Sequence, residues 1–242
     1  MTDSNAAPGG LPSGITREVL ERDGLRETLR RRHPDLPMIS NAGMRASIRD
    51  TLAARPPLAG AADGVWLFGY GSLLWNPCVA VAEWRDARLY GYHRDFRIRL
   101  THGRGCPDAP GLMLGLVRGG SCPGMALRVA VDDLDHELLM IWRREMLTGV
   151  YTPRWVRLRT GAGPVAAIAF VVNRAHENYC GRLDEAEVVQ LLATGHGEIG
   201  SAADYLDSTV ARLDAQGIHD RRLRHLRARV AAQRARMAAS SG

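Results

Sequence analysis

The stretch Val65–Pro77, VWLFGYGSLLWNP, decides how this chain is read. Apolar and aromatic residues run unbroken from Val65 to Phe68, as in a buried strand. Gly69, Tyr70, Gly71 and Ser72 then interrupt the run before it resumes at Leu73. The break sets a phenol, two glycines and a hydroxyl at the end of a core strand. Glycines at 69 and 71 permit close backbone approach and dihedrals closed to other residues. Successive N–H groups at a strand end can form a nest for a carboxylate or an oxyanion. Taken alone, the same residues could simply turn the chain while Tyr70 packs.

Outward from this strand the pattern up to about Asn173 is mostly β. Strand signals are AVAEWRDARLYGY, RDFRIRLT, LMLGLV, MALRVAV, WVRLRT and VAAIAFVVN. With VWLFGY they make about seven short strands, separated by glycine-rich turns such as THGRGCPDAPG and RGGSCPG, and they point to a small closed or nearly closed sheet. One helix, DDLDHELLMIWRREMLTG, interrupts them. Two more follow: one opens at Ser201 with Asp204 three residues on and closes at Gly217, the other is rich in arginine from Asp220. Upstream, Thr16 to about Ala54 has helical spacing at Val19, Leu20, Leu25 and Leu29, and RPPLAG marks a boundary. The expected organisation is a leader at 1–14, a helical flank at 15–60, an α+β domain at 61–219 and an arginine-rich helix at 220–242.

A chain of 242 residues suffices for one domain with a full core, and 45% hydrophobic with 24% charged residues is ordinary for a globular protein. No apolar run reaches membrane-spanning length. The first fourteen residues lack a basic start and an apolar segment, so they are expected to be a flexible leader and not a secretory signal, which points to the cytoplasm and to no membrane partner. Cys78, Cys106, Cys122 and Cys180 are scattered without a CxxC pair, and no histidines have HxxxH or HExxH spacing, so neither a disulfide framework nor a metal site is expected. The net charge of +6 is local. All 32 basic residues are arginine; seven of them, with a single acid, lie from Asp220 onward, and the body holds 25 of each sign. That distribution reads as a solvated helix face at the C-terminus and argues against a nucleic-acid partner. Removing such a tail would leave fold and activity intact.

In the helix DDLDHELLMIWRREMLTG, the 3.6-residue period stacks Leu134, Leu138, Ile141 and Glu145 on one face. A carboxylate therefore continues the core stripe. Burial and a nearby helix C-terminus both raise the pKa of such a group, which suits proton transfer near neutral pH. A structural salt bridge with Arg143, Arg144 or Arg154 accounts for the same placement equally well.

Five segments together carry a resemblance: VWLFGYGSLLWNP, IRLTHGRG, PGLMLGL, IWRREMLTGVYTPRW and GSAADYLDSTVARLDAQGIHD. In order and spacing, and over nearly the whole length, the chain resembles the ChaC family of glutathione-specific gamma-glutamylcyclotransferases. The resemblance implies a gamma-glutamylcyclotransferase-like small mixed β-barrel with flanking helices. It also implies a lyase that needs no cofactor, with glutathione as its small-molecule partner. The substrate's own α-amine would attack its γ-carbonyl and release 5-oxoproline and cysteinylglycine. By the same resemblance Glu145, in the RREM segment, is the catalytic acid/base. Tyr70, Gly71, Ser72 and Leu73 form the substrate loop, with Leu67, Phe68 and Gly69 leading into it. Ser72 is then a positioning residue and not a nucleophile. Tyr151 and Tyr205 fall in family-like segments, and Tyr205 is taken as substrate-binding. Relatives carry Gly-x-Asn ahead of the Tyr-Leu pair, whereas this chain has Gly200, Ser201 and Ala202, so no polar contact is expected from position 202. Two alternatives stay open: cyclisation of another gamma-glutamyl compound, and a non-catalytic regulatory or binding role in cation transport. No residue can be assigned from the sequence to the Cys-Gly half of the substrate.

Overall fold

A computed structural model describes residues 14–57, 64–129 and 132–240. Five strands close into a barrel: β1 (Val65–Gly69), β2 (Val81–Leu100), β3 (Gly111–Val129), β4 (Tyr151–Thr160) and β5 (Gly163–Val172), ordered β1-β3-β2-β4-β5. Neighbours along that order are antiparallel. The barrel is mixed because β5 returns to run parallel to β1, with Trp66 and Leu67 opposite Ala167 and Ile168. All five residues of β1 are buried between its two neighbours. A strand enclosed in this way reads as a continuous apolar run and not as an alternation.

The sheet has five strands, two of them of 20 and 19 residues, where about seven short ones were expected. AVAEWRDARLYGY and RDFRIRLT are both part of β2, and LMLGLV and MALRVAV are both part of β3, the last two residues of that segment lying outside the described residues. THGRGCPDAPG is the loop joining β2 to β3, but Gly119 and Gly120 of RGGSCPG, expected as a turn, form a bulge instead. Tyr90 faces Ser121 and Tyr92 faces Arg118, so Gly91 opposes both Gly119 and Gly120, all three at positive φ. One extra residue on one strand bends the hairpin without ending it.

Seven helices are described: α1 (Arg17–Glu21), α2 (Gly24–Arg32), α3 (Asn41–Ala53), α4 (Leu134–Glu145), α5 (Glu185–Thr194), α6 (Ala202–Ala215) and α7 (Arg221–Ser240). A two-residue hairpin, β6 (His196–Gly197) and β7 (Gly200–Ser201), joins α5 to α6. The start of α6 follows its sequence signal, since the Ser201 hydroxyl accepts from Asp204 N–H at 3.0 Å, and Gly217 follows its end at φ +70°. Helix α5 was absent from the sequence reading, although Asp184 caps it by accepting from Glu187 N–H at 2.7 Å. In α4, Leu138 and Ile141 are fully buried, and Trp142 meets Phe170 of β5 edge-on at 5.2 Å. The indole N–H of Trp142 donates to Ser47 of α3 at 3.0 Å, and Arg17 of α1 forks onto Glu137. These contacts lock α4 against the barrel and the N-terminal helices.

The arginine-rich helix is not merely a solvated face. Leu223, Leu226 and Val230 of α7 are buried, and Arg222, Arg224 and Arg229 pair with Asp95, Asp214 and Glu185. Leucine at 223 and 226 with valine at 230 is a helical i, i+3, i+7 stripe, which the density of arginine around it masked. No helix among the described residues is long and apolar enough to cross a membrane.

Candidate functional site

Strand β1 ends at Gly69, and the chain passes through Tyr70 and Gly71 into a 3₁₀ turn at Ser72–Leu74. The turn closes through Leu74 N–H to Gly71 O at 2.9 Å and Asn76 N–H to Ser72 O at 2.9 Å. The first N–H groups of a helical turn have no acceptor within it. Accordingly, the Ser72 and Leu73 N–H groups make no hydrogen bond among the described residues. Tyr70 is tied at both ends: its hydroxyl donates to Phe170 O at 2.8 Å, and its carbonyl accepts from Arg94 Nη1 at 2.6 Å. Gly71 is required by space. A Cβ there would lie 2.9 Å from the Tyr205 hydroxyl.

Glu145 faces this loop from the last residue of α4. It lines a small cavity with Tyr70, Gly71, Ser72, Leu73 and Tyr205, and with Tyr151 beside them. Its carboxylate accepts from Arg144 Nε at 2.9 Å, and the two side chains are 12% and 4% exposed. Burial pushes the Glu145 carboxyl above the usual carboxylate range, against the opposing pull of Arg144. Burial also raises the phenols of Tyr70, Tyr151 and Tyr205, so all three are held neutral as hydrogen-bond donors. The Tyr151 hydroxyl donates to Leu114 O at 2.7 Å.

Ser72, Glu145 and Tyr151 also line a second, open cleft. Glu145 therefore stands where the inner cavity meets the outer cleft. The outer walls come from Leu25 and Leu29 of α2, Ile199 of the β6–β7 turn, and His102 and Arg104 of the loop joining β2 to β3. That loop is held by Glu198, whose carboxylate accepts from Gly103 N–H and meets His33 Nε2, both at 2.7 Å. The outcome is a narrow inner chamber with unpaired N–H groups and a buried carboxylate, opening into a wider apolar cleft.

Of the residues singled out from the sequence, Glu145, Tyr70, Gly71, Ser72, Leu73 and Tyr205 converge on the inner cavity. Leu67, Phe68 and Gly69 line neither space: they are paired to β3, with the Leu67 and Phe68 side chains fully buried in the barrel core. Their part is to carry the loop. The salt-bridge and pocket readings of Glu145 coexist, because Arg144 supplies the bridge while Arg143 turns to Leu20 O and Glu21 O and Arg154 is exposed on β4. Missed altogether were Arg104 and the α2 leucines. An arginine between two glycines in IRLTHGRG was a signal for the first; nothing local marks the second, since only the tertiary fold brings α2 across the cleft.

The barrel is similar to that of a crystallised gamma-glutamyl cyclotransferase specific to glutathione from yeast, with a TM-score of 0.66 at 19% identity, covering 71% of this chain and 97% of that one. The fold is accordingly the gamma-glutamylcyclotransferase-like mixed barrel. The model of the ChaC-like protein family matches residues 65–233, a narrower span than the near-complete length read from the sequence. The glutathione-specific gamma-glutamylcyclotransferase of Escherichia coli (strain K12) is 41% identical over 177 residues, 72% of this chain and 74% of that protein. The glutathione-specific gamma-glutamylcyclotransferase 1 of Mus musculus is 30% identical over 61% of this chain and 68% of its own. The chain belongs to the ChaC-like family.

Proposed function

We propose that the protein is a glutathione-specific gamma-glutamylcyclotransferase, a lyase of glutathione catabolism. The observation that carries this reading is the position of Glu145: a buried carboxylate of raised pKa lining the same small cavity as the Ser72–Leu73 turn, whose N–H groups are unpaired. The glutamyl part enters the inner cavity with its γ-carbonyl beside Glu145. Glu145 takes a proton from the α-ammonium, and the freed amine attacks the γ-carbonyl carbon. The N–H groups of Ser72 and Leu73 hold the oxyanion as the five-membered ring closes. When the γ-amide C–N bond breaks, Glu145 returns the proton to the leaving nitrogen. The ring nitrogen, which still carries two hydrogens after the attack, passes one of them by way of Glu145 to the released amine, so 5-oxoproline and cysteinylglycine form without net gain or loss of protons or water.

The nucleophile belongs to the substrate. The protein's share of the rate is to fold the glutamyl chain into the ring-closing geometry, and this is why no Ser-His or Cys-His pair and no cofactor enters the scheme. Ser72 contributes its N–H and its place in the turn. A cytoplasmic setting goes with this reading, supported by four cysteines none of which is in a disulfide.

The test is direct. Purified protein incubated with glutathione is expected to yield 5-oxoproline, and Glu145→Gln to bind glutathione with essentially no product. Turnover by the glutamine variant would remove Glu145 from proton transfer. Absence of product from wild type with glutathione and with other gamma-glutamyl peptides would favour the non-catalytic reading.

A further inference from the structure

The cleft wall holds one cation that the proton transfer does not use. Arg104 is 8% exposed, and its guanidinium carbon lies 5.2 Å from the Tyr205 ring centroid and 5.9 Å from that of Trp75. Arginine stays charged in proteins and carries five N–H donors. Here one of them donates to Ser201 O at 3.2 Å, and no carboxylate among the described residues lies within ion-pair distance. The other deeply buried arginines differ. Arg26 pairs with Asp23, Arg94 with Asp220 and Arg144 with Glu145. Glu198, close by on the same loop system, is committed to His33 and the Gly103 N–H, and exposed Asp204 acts on Arg104 only from a distance. A buried charge is ordinarily paired. Arg104 instead lines the open cleft, held in place by the two rings behind it.

Arg104 borders the outer cleft and not the inner cavity, while Glu145 borders both. A substrate with its glutamyl end inside and its scissile amide at Glu145 must run its leaving half past Arg104. We propose that Arg104 is the receptor for a carboxylate on that leaving half, so that the enzyme selects gamma-glutamyl peptides ending in a free carboxylate over those whose leaving group is uncharged. The inference rests on the cyclotransferase reading above. A planar guanidinium fixed by stacking presents a two-pronged face to a carboxylate, which gives orientation as well as attraction.

The experiment compares glutathione with its glycine amide, in which only the terminal charge is removed. Wild type is expected to lose about 10- to 100-fold in kcat/KM on the amide, mostly in KM, the range of a hydrogen bond to a charged group. Arg104→Met is expected to lower glutathione turnover to the level of the amide while handling the amide as wild type does, and Arg104→Lys to restore part of the preference. Retained amide turnover shows that the variant is folded. Equal use of both substrates by wild type, or an undiminished preference in Arg104→Met, would overturn the proposal. Calorimetric binding of both compounds to Glu145→Gln, with and without Arg104→Met, reads the same contrast without turnover. If wild type makes no 5-oxoproline the cyclotransferase reading fails, and this binding contrast still decides whether Arg104 holds a carboxylate.

Discussion

Neutralising Asp220 should loosen the Tyr70–Leu73 loop on the other side of the barrel wall. Asp220 Oδ1 accepts from Leu223 N–H at 3.1 Å, starting α7, while Oδ2 stands 3.3 Å from Arg94 Nε. The Arg94 side chain is 2% exposed, and its remaining nitrogens donate to Tyr70 O and Pro123 O. The next residue, Asp95, pairs with Arg222 at 2.8 Å, so two adjacent β2 side chains are matched, charges reversed, by Asp220 just before α7 and Arg222 within it. In Asp220→Asn the cap can persist and the charge is lost. Removing one partner of a fully buried ion pair costs about 3–5 kcal/mol. Asp220 keeps 19% of its side chain exposed, and Arg94 Nε makes no well-directed hydrogen bond to it, so about 2–3 kcal/mol is expected. At roughly 2–4 °C per kcal/mol for a chain of this size, the melting temperature should fall by about 4–12 °C. Urea unfolding and 5-oxoproline production measured on the same sample would check both effects, with kcat/KM expected to drop as the Tyr70 carbonyl loses its anchor. Arg234→Ala, on the exposed side of α7, is the control and should change neither. An Asp220→Asn protein with wild-type stability and kinetics would refute the coupling. Truncation before Asp220 removes three buried side chains worth about 1.5–3 kcal/mol each, a loss comparable with the whole stability of a domain. That variant should fail to fold, contrary to the sequence expectation of a dispensable tail.

Two further outcomes concern the inner cavity. Because burial raises the Glu145 carboxyl and only its deprotonated form accepts the ammonium proton, the rate should fall on the acid side at a higher pH than for an exposed glutamate. Arg144→Gln removes the group that favours the carboxylate and should move that limb to still higher pH; a limb that stays put would separate Arg144 from the titration. Gly71→Ala puts a methyl 2.9 Å from the Tyr205 hydroxyl, an overpacking of about 1–3 kcal/mol, and should cut kcat/KM about tenfold or more. Tyr205→Phe should then recover part of the loss in the double variant, and failure to do so would place the damage in the loop backbone instead.

The parts of this site that were legible are those set by short-range period. Glu145 could be placed because Leu138 and Ile141 fix which face of α4 is buried, and the Tyr70–Leu73 turn because it breaks an otherwise apolar strand. The strand count failed where local chemistry was ambiguous: a glycine at positive φ serves a turn or a bulge alike, and only the partner strand decides which. The spacing of Leu25 and Leu29 predicts a helix and nothing more. They also wall the cleft, because the hydrogen bonds of Arg26 to Ile39 O and Asp23 brace α2 there, and no spacing in the flank encodes the loop it faces.

Three buried arginines around the pocket make the same point energetically. The side-chain chemistry is identical in each, and the role follows from where the counter-charge stands. Arg94 is matched by Asp220 at the start of α7 and works as a strut under Tyr70. Arg144 is matched by the Glu145 carboxylate, so it favours the deprotonated form of Glu145 against the pull of burial. Arg104 has aromatic rings behind it, a single carbonyl beside it and open space ahead. A fold that pairs its other deeply buried arginines with acids has no packing reason to leave this one unmatched, since an uncompensated buried cation weakens the folded state. The arrangement is intelligible if the matching anion arrives with the substrate, in which case the stability forgone in the empty enzyme returns as selectivity when the leaving half of the peptide docks.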